Sequence, residues 1–220
     1  MGTERADRLL RNIQDGRNGK AVSELLEEFL AGYPLENLRL LLHSKNDDTV
    51  KAGAFIASEL GGRFSPLMNE VVHLLEHPVS SVRFDALDIV LDNATHEHGE
   101  IVADAVMLAC DPIEAIRWKA LRFLAHATET QLRAGAQAFG NNEIAILVSW
   151  LIQLNSLQIE QAKAHTVTAL DGEDPLVRKF AAVAAARLAS DDPSPLQSAA
   201  SSMDPEIKQF AQDELGLLEV

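Results

Sequence analysis

The stretch Asp174-Pro175-Leu176-Val177-Arg178-Lys179-Phe180-Ala181 decides the fold, because its order of residue types recurs along the chain. An apolar branched residue, Val177, is followed at once by a cation, and an alanine comes one helical turn later. Proline is tolerated in the first turn of a helix, and an acidic residue before it can accept hydrogen bonds from free amide groups. The stretch therefore predicts the start of a helix whose alanine lets another helix approach closely.

Five copies of this pattern place an anchor, a cation and an alanine at the same spacing. They are Val50-Lys51 with Ala54, Val82-Arg83 with Ala86, Ile116-Arg117 with Ala120, Val177-Arg178 with Ala181, and Ile207-Lys208 with Ala211. Successive anchors are 32, 34, 61 and 30 residues apart, so the longest interval holds two periods and one degenerate copy around Ile144 to Leu154. A period of roughly 30 residues is typical of a repeat array.

Each copy is predicted to form a pair of helices. Apolar residues at helical spacing mark the first helix, as in Leu67, Val71 and Leu74, and the second helix carries the anchor. Because no single pair can bury its apolar face alone, about six to seven pairs must stack into one all-α domain. The predicted domain spans 1–220, with a capping pair at 1–33, repeats at 34–190 and a second capping pair at 191–220.

Composition supports helices and argues against several functions. Hydrophobic residues make up 47% of the 220 residues and aromatic residues only 5%, a balance that suits helices better than strands. The net charge of -14 argues against nucleic acid as a partner, because such binding relies on cations that neutralise phosphates. No apolar run approaches the ~20 residues of a membrane span. The polar start of the chain is unlike a secretory signal, and Cys110 is the single cysteine, so we expect a cytoplasmic protein.

The recurring Asp-Pro, Val-Arg and alanine resemble the HEAT and HEAT-like (PBS-lyase-type) repeat family over roughly residues 35–218. The pattern departs at Ile144 to Leu154, where neither the cation nor the alanine falls in place. The resemblance implies a right-handed α-α superhelix, an α-solenoid, whose second helices line the concave side. Solenoids of this family mostly serve as binding scaffolds and only occasionally as enzymes.

The outward side of the second helices is predicted to hold the partner-binding residues. The anchor and the residues four, seven and eight later fill the buried arc of a helical wheel, so the residues two and six later should point away from the core. Phe84 and Trp118 fall at equivalent outward positions of neighbouring repeats, and large aromatic side chains are frequent interface anchors. They fit a gap-filling role between repeats equally well. The predicted partner-binding residues are Phe84, Asp85, Asp88, Trp118, Arg122 and Lys179.

Two charge patterns accompany this face. The cations that follow the anchors form a ladder, for which the family resemblance favours hydrogen bonds to loop carbonyls or an aspartate over ligand binding. The C-terminal stretch is strongly acidic, with a single Lys208 among Asp191, Asp192, Asp204, Glu206, Asp213, Glu214 and Glu219. Such patches are usually solvated faces, but an acidic surface also attracts basic proteins over a long range.

Two histidine-rich motifs have metal-ligand spacing. His73-Leu74-Leu75-Glu76-His77 fits the H-x-x-E-H arrangement of zinc enzymes, but Pro78 follows at once and no third ligand stands out, which favours an ordinary helix end. His96-Glu97-His98-Gly99-Glu100 resembles the iron-binding motif of deoxyhypusine hydroxylase, a HEAT-type enzyme. Its single copy in a predicted turn favours a polar loop. We therefore predict no metal and no cofactor.

Nucleophilic catalysis and an aromatic binding site at Trp150 are not indicated by the sequence. Cys110 ends an apolar helix beside Asp111, so we expect a buried, unreactive thiol. Trp150 lies in a helix that is apolar on all sides, so we expect it in the core.

Together these observations predict a non-catalytic scaffold that captures a basic protein, such as a toxin or an enzyme, on its concave face. A narrower hypothesis is an immunity protein that neutralises a toxin by covering a cationic active site, which rests on resemblance, size and charge. The alternative is a HEAT-type enzyme, either a metal-dependent hydroxylase or hydrolase or a bilin-lyase-like protein. A nucleic-acid-binding protein like the HEAT-like DNA glycosylases is the weakest alternative, because the net charge opposes it.

Overall fold

The structure is a computed structural model that describes residues 2–140 and 142–218. Within these ranges the chain forms helices and turns and contains no β-strand. The α-helices are α1 (Gly2–Gln14), α2 (Ala21–Leu30), α3 (Arg39–Leu42), α4 (Asp47–Glu59), α5 (Val71–Leu75), α6 (Ser80–Asn93), α7 (Gly99–Met107), α8 (Glu114–His126), α9 (Glu129–Phe139), α10 (Glu143–Gln153), α11 (Ile159–Leu170), α12 (Pro175–Leu188), α13 (Ser194–Ala200) and α14 (Pro205–Leu218). Short 3-10 helices are Leu35–Leu38, Gly61–Glu70, Leu108–Cys110 and Leu154–Ser156. The prediction of an all-α fold is confirmed. Within the two described ranges, no helix is both long and apolar enough to cross a membrane.

The helices form two compact units, Met1–Ala94 and Thr95–Val220. In the first unit α1 packs on α2, α3 on α4 and α5 on α6, and α4 also packs on α6. In the second unit α9 pairs with α10, α11 with α12 and α13 with α14, while α7 packs on both α8 and α9. The single repeat domain predicted for 1–220, with its capping pairs, stays a prediction.

The repeat residues singled out in the sequence lie in the core. The alanines Ala54, Ala86, Ala120, Ala181 and Ala211 all have 0% exposed surface. The anchors Val50, Val82, Ile116 and Ile207 are at most 2% exposed, whereas Val177 is half-buried. Because protein interiors are close-packed, a small side chain at each of these positions sets how closely the neighbouring helix can approach.

Three arginines that follow anchors make the same pair of hydrogen bonds. Arg83 Nη1 donates to the carbonyl oxygens six and five residues earlier, at 2.7 and 3.2 Å. Arg117 Nη1 does so at 2.8 and 3.0 Å, and Arg178 Nη1 at 3.0 and 2.7 Å. Each guanidinium thus satisfies two backbone acceptors in the turn before its own helix. The structural interpretation of the cation ladder is confirmed in these three repeats.

The turns before these helices carry side-chain caps. Asp174 accepts hydrogen bonds from the amides two and three residues later, at 2.7 and 3.2 Å. Asp111 and Asp204 accept the amide two residues later at 2.8 and 3.0 Å. In the His77-Pro78 turn the imidazole Nδ1 of His77 accepts the Val79 amide at 3.2 Å. Asp174 and Asp204 thus cap α12 and α14, whereas Asp111 and His77 stabilise the turns directly before α8 and α6.

The second unit departs from a simple succession of neighbouring pairs. Helix α8 packs on α12 and on α14, two and three hairpins further along the chain, while α10 packs on α9 and α12. Helix α10 carries the degenerate copy of the repeat. Because the second helices contact other helices on more than one side, their buried arc is wider than the helical wheel predicts. Ala52 and Ile56 lie two and six residues after the anchor Val50, and Val183 lies six after Val177, so the helical wheel predicts that they point away from the core. This prediction is wrong, since the three residues are at most 7% exposed.

Candidate functional site

Three of the predicted partner-binding residues lie in the second unit and contact α14. Trp118 Nε1 donates a hydrogen bond to Asp213 Oδ2 at 2.9 Å. The guanidinium carbon of Arg122 lies 5.2 Å from the centre of the Trp118 ring, within the range of a cation–π interaction. Arg122 Nε also donates to Glu214 Oε1 at 3.1 Å. This side of α8 therefore packs against another helix of the same chain.

Two cations hold Glu206, near the start of α14. Arg117 donates to both carboxylate oxygens, with its Nε 3.0 Å from Oε2. Lys179 Nζ, from α12, lies 2.8 Å from the same Oε2 atom. The hydrogen bond from Arg117, aided by Lys179 and opposed by burial, lowers the pKa of Glu206 to about 2. Glu206 is therefore ionised at neutral pH and joins α14 to α8 and α12.

Glu214 makes the second charged contact between α8 and α14. It is only 5% exposed, and its Oε2 atom lies 2.9 Å from His126 Nε2 while Oε1 accepts from Arg122. A buried carboxylate needs such partners, because leaving water is costly for a charge. We call these residues together the α8–α14 interface: Arg117, Trp118, Arg122 and His126 with Glu206, Asp213 and Glu214.

Four acidic residues near the C-terminus have partners that the sequence does not place beside them. Glu206, Asp213 and Glu214 belong to the α8–α14 interface, and Asp192 Oδ2 lies 2.5 Å from Lys163 Nζ. The hydrogen bond from Lys163, with others from Ser194, lowers the pKa of Asp192 to about 2. The stretch is acidic as the sequence shows, but these four residues do not form a simple solvated face, because donors from α8, α11 and α12 contact them.

The other predicted partner-binding residues, Phe84, Asp85 and Asp88, lie on α6 in the first unit and are half-buried. Partner binding by them and by Trp118, Arg122 and Lys179 stays a prediction. For the last three, the contacts with α14 indicate a role in packing.

An open groove runs along α9 and α10 in the second unit. Two adjoining cavities of about 670 and 490 Å³ share Ala136, Ser149 and Gln153 in their walls. Ile146 is 70% exposed, and Trp150, one helical turn later, is half-buried in the wall of the larger cavity. Trp150, expected in the core, thus lies partly in this groove. The sequence of α10 could have indicated this groove, because it is apolar on all sides. A helix that packs on α9 and α12 buries only some of its faces and leaves apolar side chains exposed on the others.

One group of side chains among the residues that the structure describes has the proximity of metal ligands: His43, Glu70 and His73, in the first unit. His43 Nε2 lies 2.6 Å from Glu70 Oε2, and the rings of His43 and His73 stack with their centres 4.7 Å apart. Burial lowers the pKa of His73, which keeps its ring neutral. Sequence reasoning missed His43 and Glu70, although His43 and His73 are separated by about one repeat period.

The two predicted histidine motifs fare differently. His77 Nδ1 accepts the Val79 amide in the turn before α6, and its Nε2 atom lies 4.0 Å from Asp47 Oδ1, so it takes no part in the group around His73. The interpretation of His96 to Glu100 as a polar loop before a helix is confirmed. His98 Nδ1 accepts the Thr95 amide at 3.0 Å, and α7 begins at the next residue.

The expectation that Cys110 is buried is wrong. Cys110 is the last residue of the 3-10 helix Leu108–Cys110 and is exposed. The preceding residue, Ala109, is the one that faces the core, and it is 2% exposed.

Similar solved structures support the fold. No family model matches the sequence, and no curated protein matches it. The archaeal HEAT-like repeats protein from Thermococcus onnurineus NA1 is 14% identical, with a TM-score of 0.51 over 97% of both chains. A designed armadillo repeat protein is 16% identical over 98% of this chain and 99% of that one, with a TM-score of 0.51. A second, in complex with the peptide (KR)4, is 17% identical over 97% and 98%, with a TM-score of 0.52. The chain thus has the α-solenoid fold of HEAT-like and armadillo-type helical repeat proteins.

Proposed function

We propose that the protein is a helical-repeat scaffold that binds a basic segment of another protein in the groove along α9 and α10. The observation that carries this proposal is the 70% exposure of Ile146 one helical turn before Trp150. Apolar side chains that a fold leaves together at the surface mark sites of interaction. Tryptophan is also enriched among the residues that dominate binding energy.

The groove combines apolar and polar walls. Ile146, Trp150 and Gln153 follow each other at helical spacing on one face of α10, and Ser149 lies beside them. Such a surface offers an apolar anchor point with hydrogen-bonding groups at its edge, the usual anatomy of a protein interface. An aliphatic side chain of a partner would bury Ile146 and the exposed part of Trp150, while the partner backbone meets Ser149 and Gln153.

Charge favours a basic partner. The chain carries a net charge of -14. The described residues that line the larger cavity include Glu143 and neither lysine nor arginine, and Arg133 in the wall of the smaller cavity is paired with Glu129 at 2.6 Å. Lysines and arginines beside the partner's anchor would therefore gain from the field of the protein and meet no like charge in this cavity. The complex of the designed armadillo repeat protein with (KR)4 supports the proposal, because a protein of similar fold binds a basic peptide.

The narrower role that we propose is inhibition of a basic enzyme or toxin by covering its cationic surface, as an immunity protein does. Its support is the acidic charge of the chain. In this role the protein performs no chemistry of its own.

Binding of labelled peptides tests the proposal. The probes are (KR)4, a version with one leucine inserted, and a version in which every lysine and arginine is replaced by glutamate. We expect the leucine-containing basic peptide to bind best and its affinity to fall with added salt, because surface charges are screened. Fluorescence anisotropy at low and high salt measures both effects. The Ile146→Asp variant should lower the affinity by about tenfold or more, since it places a charge at the anchor point.

Matched variants locate the site. Val72→Asp changes a 40% exposed aliphatic residue in the first unit and should leave binding unchanged. Phe84→Ala tests the face predicted from the sequence. Equal binding of the acidic and basic peptides would remove the charge argument. Loss of binding in Phe84→Ala but not in Ile146→Asp would move the site from the groove to α6.

A further inference from the structure

The first unit brings together three potential metal ligands from two consecutive helical pairs. His43 follows the last residue of α3, Glu70 ends the 3-10 helix Gly61–Glu70, and His73 lies in α5. Because α3 and α5 are the first helices of successive pairs, residues about one period apart come to lie beside each other. This explains how two imidazoles that are distant in the sequence stack with their centres 4.7 Å apart and their planes at 22°.

The distances suit a shared ion. One ligand atom from each of the three side chains lies within 4.8 Å of the other two, and His43 Nε2 is 2.6 Å from Glu70 Oε2. Metal–ligand bonds of about 2.0–2.2 Å place tetrahedral ligand atoms about 3.4 Å apart, so His43 Nε2 and Glu70 Oε2, now hydrogen-bonded, would have to move apart on binding. Binding would therefore require small rotations of these side chains. His43 can make them, because its side chain is 56% exposed.

Outer contacts already orient two of the ligands. Arg39 Nε donates to Glu70 Oε1 at 2.6 Å, which leaves Oε2 directed at His43. His73 Nε2 lies 3.3 Å from the Leu42 carbonyl oxygen, a contact of the kind that fixes the ring of a metal-binding histidine. Burial opposes ionisation of Glu70, but the hydrogen bonds from Arg39 and His43 outweigh it and hold the pKa of the carboxyl below its ordinary value. A neutral imidazole and an ionised carboxylate are the forms that bind metals.

We propose that His43, Glu70 and His73 bind a divalent transition-metal ion, with Zn²⁺ as the best match. Two imidazole nitrogens and one carboxylate oxygen form a ligand set that Zn²⁺ accepts, with a fourth position open to water or to a group of a partner. The set is not one of the two motifs visible in the sequence, since it uses His73 without His77. The proposal does not depend on the groove along α9 and α10.

Metal titration of the full chain, purified without a histidine tag and treated with chelator, tests this site. We expect one Zn²⁺ per chain by isothermal titration calorimetry, and a rise in the thermal unfolding midpoint with Zn²⁺ because the ion binds the folded state. Co²⁺ should give visible absorption typical of a tetrahedral nitrogen and oxygen site. His43→Gln changes an exposed side chain, so the variant should fold normally and bind Zn²⁺ at least about tenfold more weakly.

Further variants separate this site from others. Glu70→Gln should weaken binding in the same way, and Arg39→Met should do so to a smaller extent by releasing Glu70. The double variant His96→Ala with His98→Ala is the matched control and should bind Zn²⁺ as the unaltered chain does. Unchanged affinity in both His43→Gln and Glu70→Gln, or no stoichiometric binding by the unaltered chain, would overturn the proposal.

Discussion

Trp118 and Asp213 are 95 residues apart in the sequence, yet the indole nitrogen of the first donates a 2.9 Å hydrogen bond to the carboxylate of the second. This bond belongs to the α8–α14 interface, which joins the second helix of one repeat to the second helix of the pair formed by α13 and α14. The helical wheel places these aromatic and charged residues on an open surface. In the structure they instead pack against another helix of the same chain.

The ion pairs of Glu206 should make stability depend on pH. The pKa of about 2 in the folded chain is below the ordinary value of 4.5. The contribution of Glu206 is therefore complete above pH 4.5 and is lost as the pH falls towards 2. Glu206→Gln should lower the free energy of unfolding by about 1–3 kcal/mol at neutral pH. Urea denaturation measures this, and the difference from the unaltered chain should shrink with acidification.

Glu24→Gln is the matched control for that experiment. Glu24 pairs with Arg5 at 3.1 Å, but both side chains are more than 40% exposed. Exposed ion pairs contribute little, so this variant should unfold almost as the unaltered chain does at every pH. A destabilisation by Glu206→Gln that is the same at neutral and at acid pH would contradict the role of its charge.

Removal of the Arg178 guanidinium, one of the repeated cations, should destabilise the turn before α12. Arg178→Met removes the two hydrogen bonds to the carbonyl oxygens of Gly172 and Glu173, together with a 3.7 Å ion pair to Asp204, and keeps most of the side-chain volume. We expect a destabilisation of about 1–2 kcal/mol, measured by chemical denaturation. Lys208→Met, at the equivalent but exposed position of α14, should change stability by less than about 0.5 kcal/mol. Equal effects of the two variants would show that the carbonyl contacts are unimportant.

Enlarging a repeat alanine should be far more harmful than enlarging an exposed one. Ala181 is fully buried in α12, so Ala181→Leu overfills a packed core and should cost about 1–3 kcal/mol or more. Ala115→Leu adds the same atoms to an exposed position of α8 and should be nearly neutral. Thermal unfolding followed by circular dichroism compares them. A neutral Ala181→Leu would contradict the close approach of helices at this position.

Tyr33 is the single tyrosine, so its ionisation can be followed by ultraviolet absorbance. Burial, together with a 2.6 Å hydrogen bond to Asp7 Oδ1, raises the pKa of Tyr33 to about 12. Because the folded value exceeds the ordinary 10.0, the contribution to stability is present below pH 10 and is lost as the pH rises towards 12. Asp7→Asn should lower this pKa but leave it above 10, since burial remains. Circular dichroism checks that the chain stays folded, and an ordinary pKa in the unaltered chain would refute the prediction.

Local interactions account for the parts of the fold that the sequence predicts. Asp174 caps a helix through amides two and three residues away, and Arg178 reaches carbonyls five and six residues away. Because these contacts join residues that are close in the sequence, the same residue types recur in each repeat. The repeat, its helix starts and its buried alanines can therefore be predicted from the sequence alone. The arginine ladder also follows from the family resemblance.

Contacts between distant segments account for what was missed. Neither Trp118 nor Asp213 indicates its partner, because α8 packs on α14, three hairpins further along the chain. His43 and His73 become neighbours only through the stacking of two pairs. The helical wheel failed for Ile56 and Val183 because it assumes one buried face, whereas these helices are covered on several.

The attachment of α14 to α8 as well as to α12 alters how the second unit comes apart. A helix that contacts few other helices separates at low cost, and its amide hydrogens exchange early. Helix α14 instead packs on α8, α12 and α13, so it cannot separate without exposing all three. This half of the chain should therefore melt in one cooperative step, with amides of α14 as slow to exchange as those of α8.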